Sequence, residues 1–279
     1  MKIYLCAISN ISSGVCAEDC SFCTQSTKYR ADIERFKYKP LQDIIQEAKR
    51  AKDSKAIGFC LVTAGKGLDD KILDFVCKVA KAIKKEGIDI SLIGCNGTAT
   101  VEQLKELKKA GIENYNHNLE TAKSFYKNIC TTHSWDERYQ TCLNAKEAGL
   151  NLCTGGIFGL GETKEQQEEL LKEIASLKPM SVPINFFHPN QALPLPQKIM
   201  KKDEALEIIK KARDLMSDAM IMIAGGRELV FKDEWPLALE AGANSIIIGD
   251  YLTTKGDSPS KDIQILNKLG YKIANSCHE

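Results

Sequence analysis

Two hydrophobic periods alternate along this chain. Short strand-like runs occur at 3–9, 56–63, 88–95, 113–118, 151–158, 182–187, 219–226 and 243–250, most of them rich in Ile, Val and Leu, and predict eight strands. Between them apolar residues recur at i, i+3, i+4 and i+7, as at 41–52, 71–87, 101–111 and 203–216, which predicts amphipathic helices. Gly87, Gly111, Gly149 and Gly242 stand where helical patterns give way to strands, a common helix stop. Thr163 followed by Gln166 reads as a capping box. Strands that alternate with helices imply right-handed βαβ units and a parallel sheet. At 279 residues the expected solution is a single closed (β/α)8 TIM-type barrel, with an open doubly wound sheet as the rival. No linker, repeat or low-complexity tract interrupts the pattern. The chain therefore reads as one domain over 1–279, with a short C-terminal extension from about 252.

Composition narrows the function classes. Hydrophobic residues make up 43% of the chain, enough for a large core, and 38 basic against 37 acidic residues leave a net charge of +1. That balance, with no long basic block, gives nucleic acid no electrostatic footprint. No run approaches the roughly 18 apolar residues of a membrane span, and the first residues lack the apolar core of a signal peptide. The expected location is the cytoplasm. Thiols stay reduced there, so the eleven cysteines do not read as a disulfide framework. Cys77 and Cys142 lie in helical patterns and read as packing residues, and Cys130 and Cys277 as incidental.

Cys16, Cys20 and Cys23 are different. They form C-x3-C-x2-C directly after the first strand, with Gly14 in the turn. In a barrel this is the C-terminal face, where active sites form. A structural zinc site wants four ligands, so three thiols would need a distant fourth. Three thiolates on one loop can instead hold three irons of a 4Fe–4S cluster and leave the fourth iron open.

With Phe22 before the last cysteine, this loop resembles the signature of the radical S-adenosylmethionine (SAM) enzymes. The likeness extends over nearly the whole chain to the biotin synthase family, through "SGVCAEDCSFCTQS", "YNHNLET", "FYKNICTTHSWDERYQT", "GGIFGLGET", "SVPINFFHP", "AGGRE", "AGANSIIIGDYLTT" and "SPSKDIQILNKLGY". The resemblance implies a sulfurtransferase that closes the thiophane ring of dethiobiotin. It implies cleavage of SAM by one electron from a 4Fe–4S cluster on Cys16, Cys20 and Cys23, and sulfur drawn from an auxiliary iron–sulfur cluster. The electron donor would be a flavodoxin or ferredoxin, cluster-assembly proteins would be partners, and the oligomer would be a homodimer. A related radical SAM enzyme, of the hydrogenase-maturation or methylornithine-synthase type, and a non-catalytic metal-binding protein are the alternatives.

Residue by residue, the resemblance gives Asn118 to the SAM ribose and the substrate, and Glu120, where many members have Asp, to the ribose hydroxyls. The pattern G-x-I-x-G-x-x-E runs from Gly155 through Ile157 to Glu162, and implies that Ile157 packs on adenine while Gly155 allows close backbone approach. Asn185 would bind the ureido ring. The alternative for Asn118 and Asn185 is a polar group satisfied by neighbouring backbone. Thr63 and Ala64 backbone groups are candidates for the methionine end of SAM, and Arg227 is an ion-pair partner of Glu228 or a surface charge.

The auxiliary ligand set departs from the family's pattern of three cysteines and one arginine around a 2Fe–2S cluster. The arginine position holds Met222, and a second family arginine is replaced by Gly58. Ile93 stands at the strand-three cysteine position, but Cys95, two residues on, shares its face; Cys6 replaces a serine of strand one. Cys6, Cys60, Cys95 and Cys153 then come from four strands, and the expectation is a larger 4Fe–4S-type cluster. In the alternative, Cys6 and Cys95 merely pack.

Overall fold

The computed structural model describes residues 1–276; Cys277 lies outside them. All strand pairings are parallel. The strands are β1 (Lys2–Asn10), β2 (Gly58–Val62), β3 (Ser91–Cys95), β4 (Ile112–Asn116), β5 (Asn151–Cys153), β6 (Gly156–Phe158), β7 (Ser181–Phe186), β8 (Met220–Ile223), β9 (Ser245–Ile247) and β10 (Lys272–Ile273). They run in the order β1-β2-β3-β4-β5-β7-β8-β9, with β6 paired to β7 off that path, and β9 pairs back onto β1 through Tyr4–Ser245 and Cys6–Ile247. That pairing closes the barrel and rules out the open sheet. The helices are α1 (Leu41–Asp53), α2 (Asp70–Lys85), α3 (Val101–Lys109), α4 (Trp135–Glu147), α5 (Lys164–Ser176), α6 (Lys202–Leu215), α7 (Arg227–Val230), α8 (Leu237–Glu240) and α9 (Pro259–Lys268).

Amphipathic helices cover the outer faces of the strands. Ile44 and Ile45 of α1, Val76 and Ile83 of α2 and Leu104 of α3 share one core with Leu5, Phe59, Leu61 and Leu92. Alternation along each strand sends the other set inward, so Cys6 and Ile8 of β1 and Cys60 and Val62 of β2 line the lumen. The expected capping box is present: Thr163 Oγ1 accepts from Gln166 N while Gln166 reaches back to Thr163 N. The four helix-stop glycines all adopt positive φ, between 69° and 119°.

Two features differ from the sequence reading. The single strand expected over 151–158 is split into β5 and β6 by Thr154–Gly155, because β5 pairs with both β4 and β7 whereas β6 pairs with β7 alone. A Cβ on Gly155 would lie 1.9 Å from the Pro183 carbonyl oxygen, so only glycine lets the chain step past β7 here. Beyond the eighth stave, α9 leads into β10, which lies parallel to the start of β1 through Lys2–Lys272 and Ile3–Ile273.

Arg227 is a buried ion-pair residue, not a surface charge. Its Nη2 donates to Asp262 Oδ2 at 3.0 Å and to Glu228 Oε1 at 3.1 Å, and its guanidinium lies 4.9 Å from the Trp235 ring. The side chains of Arg227 and Asp262 are 1% and 0% exposed, so the pair locks α9 to the barrel.

Candidate active site

A cavity of about 400 Å³ runs down the barrel axis. Phe22, Cys23, Asn118, Glu120, Ile157, Asn185 and the Tyr251–Thr254 segment line its upper part. Cys6, Cys60, Cys95, Cys153, Ile93 and Met222 line the interior below.

The cysteine loop is held at the rim by a dense set of bonds to the segment after β4. Asp19 accepts from Thr131 N (2.9 Å), Thr132 N (3.2 Å) and both threonine hydroxyls, and Ser21 N donates to Ile129 O at 2.8 Å. These bonds hold the Asp19 carboxyl far below the usual range. Glu18 Oε2 lies 2.7 Å from His133 Nδ1. Within the loop, Cys23 N donates to Cys20 O and Thr27 N to Cys16 O. Burial pushes the Cys16 thiol up and the Cys23 thiol up to about 11. Among the described residues no cation acts to lower these two thiols; a metal bound there would supply that charge. The sulfurs of Cys16, Cys20 and Cys23 do not crowd within 4.8 Å as a single ion would require.

Cys130, expected to be incidental, is not: its Sγ lies 3.7 Å from that of Cys20 and 3.3 Å from His133 Nδ1. Hydrogen bonds from Cys20 and His133 bring the Cys130 thiol down to about 4, while Cys20 is driven far upward by the same contact.

Asn116 and Asn118 both reach the cavity, and His117 points away into the core, as the alternation predicts. Asn118 Oδ1 accepts from Gly155 N at 3.2 Å. Glu120 sits at φ 70°, in the left-handed region uncommon for a non-glycine residue, where its carbonyl accepts from Ile157 N at 2.7 Å. Burial raises its carboxyl, against the pull of Arg138, whose Nη2 donates to Oε1 at 2.7 Å. Sequence reasoning missed Arg138. It bridges the site: its Nε donates to Asn118 O at 2.7 Å, and its Nη1 lies 3.2 Å from His133 Nε2. The buried Glu120 Oε2 and Asn116 Oδ1 have no protein partner, which leaves two acceptors for hydroxyl or amino donors of a ligand.

Asn185 lines the cavity, yet its amide is partly spent on backbone. Nδ2 donates to Gly156 O (3.1 Å) and Oδ1 accepts from Gly225 N (3.0 Å). One N–H and one lone pair remain for a ligand. The Thr63 and Ala64 amides already donate to Cys95 O and Ser12 O, so the expected contact to the methionine end of SAM would fall to their carbonyl groups. Glu162 caps the turn of its motif, accepting from Gly159 N and Leu160 N at 2.7 Å each.

In the interior, the neighbouring Cys95 thiol and burial push the Cys60 thiol up, and Cys153 and Cys6 are near enough to raise it further. Asn116 Nδ2 donates to Cys95 Sγ, at 3.4 Å. Cys6 packs with Met222, Ala224 and Ile247. A Cβ on Gly58 would meet Cys6 Sγ and Ile93 Cδ1 at 3.0 Å each, so a longer side chain there would intrude on this space.

The chain matches the radical SAM superfamily over residues 10–174 and the biotin and thiamin synthesis associated domain over 183–272. It is 75% identical to the biotin synthase of Nitratiruptor sp., with both chains covered in full, and 64% identical to that of Aliarcobacter butzleri over 100% of this chain and 99% of the relative. The chain belongs to the biotin synthase family. Members of that family work with a 4Fe–4S cluster, SAM and an auxiliary iron–sulfur cluster. The fold is shared more widely. The [FeFe]-hydrogenase maturase of Carboxydothermus hydrogenoformans superposes with a TM-score of 0.84 at 20% identity, covering 99% of this chain and 69% of that one. A methylornithine synthase superposes at 0.83 and 20%, covering 98% and 84%. Among the described residues no helix is long and apolar enough to cross a membrane.

Proposed function

We propose that the chain converts dethiobiotin to biotin by radical SAM sulfur insertion, with sulfur drawn from an auxiliary cluster inside the barrel. The observation that carries this reading is the continuity of one cavity from Cys23 and Glu120 at the mouth to Cys6, Cys60, Cys95 and Cys153 within. Sulfur donor and hydrogen-abstracting centre must face the same substrate, and one lumen lets them.

Cys16, Cys20 and Cys23 would hold three irons of the 4Fe–4S cluster, leaving the fourth open to SAM. Glu120, fixed by Arg138, offers its unpartnered Oε2 to the ribose hydroxyls, and Asn118 adds its amide. The close approach that Gly155 allows is taken up by the Pro183 carbonyl rather than by a ligand, while Phe22 and Ile157 give the nucleoside an apolar wall. Asn118 and Asn185 hold the ureido ring, Asn185 through the amide valences that the backbone leaves over. The apolar walls, among them Ile8, Val62, Ile93 and Ile247, keep water from the reacting carbons. When bound, the reduced cluster and SAM supply hydrogen-abstracting radical chemistry, and the auxiliary cluster supplies the sulfur.

Cys6, Cys60, Cys95 and Cys153 would ligate that second cluster. Gly58 and Met222 stand in place of cationic side chains, Cys95 keeps a strand-three thiol, and Cys6 adds a fourth, so the set favours a larger 4Fe–4S-type cluster over 2Fe–2S. The reading includes a flavodoxin- or ferredoxin-type electron donor, cluster-assembly proteins as partners, a cytoplasmic homodimer, and one working domain over 1–279 that ends in the α9–β10 extension.

Anaerobic reconstitution with iron and sulfide, followed by dethiobiotin, SAM and a reductant, tests the reading. Biotin should form, with about eight irons per chain, falling to about four when Cys6 or Cys95 is replaced. No biotin refutes the function. About six irons, with a 2Fe–2S Mössbauer signal that survives Cys6→Ser, refutes the larger cluster.

A further inference from the structure

We propose that Cys20, Cys130 and His133 form a second kind of metal site: in the cluster-free protein they bind one thiophilic divalent cation, such as zinc or ferrous iron. Because Cys20 serves both, that ion and the cluster at the loop exclude each other. Only the exclusion rests on the reading of Cys20 as a cluster ligand.

The distances carry the inference. A tetrahedral ion with metal–sulfur bonds near 2.3 Å and metal–nitrogen bonds of about 2.0–2.1 Å sets its ligands about 3.8 Å apart for S···S and about 3.6 Å for S···N. The Cys20 and Cys130 sulfurs are 3.7 Å apart, and Cys130 Sγ is 3.3 Å from His133 Nδ1 and 3.8 Å from Nε2. The three ligand atoms lie within 4.8 Å of one another, the only such trio of His, Cys or acidic groups among the described residues. The spacing of a mononuclear site is thus already built.

The surroundings of the histidine agree. Glu18 Oε2 lies 2.7 Å from Nδ1, the carboxylate–histidine arrangement that fixes the tautomer and turns Nε2 into the ligand atom. Arg138 Nη1 now faces Nε2 at 3.2 Å, and the ion must displace that contact; Arg138 stays anchored through Asn118 O and Glu120. Cys130 and His133 are 3% and 7% exposed and belong to the segment that Asp19 holds through Thr131 and Thr132, so two of the three ligands are fixed before any metal arrives. A tetrahedral ion leaves a fourth position for water. Cys16 and Cys23 do not belong to the trio, so an ion seated here draws Cys20 away from them.

The test uses the full chain, reduced, anaerobic and stripped of iron. Cobalt(II) is titrated and followed by its thiolate charge-transfer absorption, and zinc affinity is read by competition with a chromophoric chelator. One equivalent should bind. The Cys16→Ser/Cys23→Ser protein should bind within about threefold of the unmodified chain. Cys130→Ser and His133→Ala should each bind at least about 100-fold more weakly, beyond the usual loss for an outer-sphere partner. Circular dichroism of each variant checks that the fold is kept. Zinc-loaded protein should then take up about four irons fewer on reconstitution, and Cys130→Ser should remove that shortfall. Zinc binding that needs Cys16 and Cys23 but is unchanged in Cys130→Ser overturns the site. A full iron complement taken up with the zinc retained overturns the exclusion. The titrations involve neither SAM nor dethiobiotin, so their outcome is separate from that of the biotin assay.

Discussion

Replacing Asp262 by Ala should destabilise the protein by about 3 kcal/mol. Removing one member of a buried ion pair typically costs about 3–5 kcal/mol, because the remaining charge stays desolvated and alone. Arg227 would be that charge, with its side chain 1% exposed. Two contacts survive the substitution: Glu228 Oε1 at 3.1 Å, on a side chain 24% exposed, and the Trp235 ring at 4.9 Å. They place the loss at the low end of the range. Glu228 also accepts from Tyr251 Oη (3.1 Å) and Asp257 N (3.4 Å), and Tyr251 lines the cavity. The damage should therefore reach the mouth of the barrel. Urea unfolding of the iron-free protein is the assay. With an m-value of about 3 kcal/mol/M, the midpoint should fall by about 1 M. Arg227→Met combined with Asp262→Leu removes both charges and should recover most of the loss. A drop below about 1 kcal/mol for Asp262→Ala, or a double variant no more stable than the single one, would refute the reasoning.

Replacing any of Cys16, Cys20 or Cys23 by Ala should abolish 5′-deoxyadenosine formation from SAM; normal production in one such variant removes that residue from the cluster. The Asn118→Ala/Asn185→Ala protein should fold yet bind dethiobiotin about 1–3 kcal/mol more weakly, as measured by calorimetry, and unchanged affinity would show that both amides serve only the backbone. Glu173 has its carboxyl raised to about 7 by burial, so the folded state binds a proton that the unfolded state has already released. Its contribution is full below the unfolded value of about 4.5 and is lost as pH rises through about 7. Glu173→Gln should flatten that decline in urea midpoints between pH 5 and 8, and an unchanged slope would sink the assignment.

Most of the barrel was legible because its strands and helices differ in hydrophobic period, a property of adjacent residues. The break at Thr154–Gly155 was not, since it depends on the Pro183 carbonyl of the next stave. Cys16, Cys20 and Cys23 could be found because their chemistry is written in local spacing. Cys130 could not, because its partner Cys20 lies 110 residues away, and Arg138 sits in a helix whose pattern gives no hint that its guanidinium ties together Asn118, Glu120 and His133. The direction of Asn185 was legible from alternation along β7, but not the use of its amide by Gly156 and Gly225, which belong to other segments.

The pairing of β9 and β10 with β1 has a consequence for the order in which this molecule is made. The four interior thiols all lie within the first 153 residues, on staves that can assemble side by side as they emerge from the ribosome. The stave that seals the lumen is β9, at Ser245–Ile247, and the strand that secures the outer edge of β1 comes later still. Until then β1 presents a bare edge and Cys6 lies beside an open seam. Closure therefore waits for β9, and a strand remote in sequence governs the shelter of Cys6.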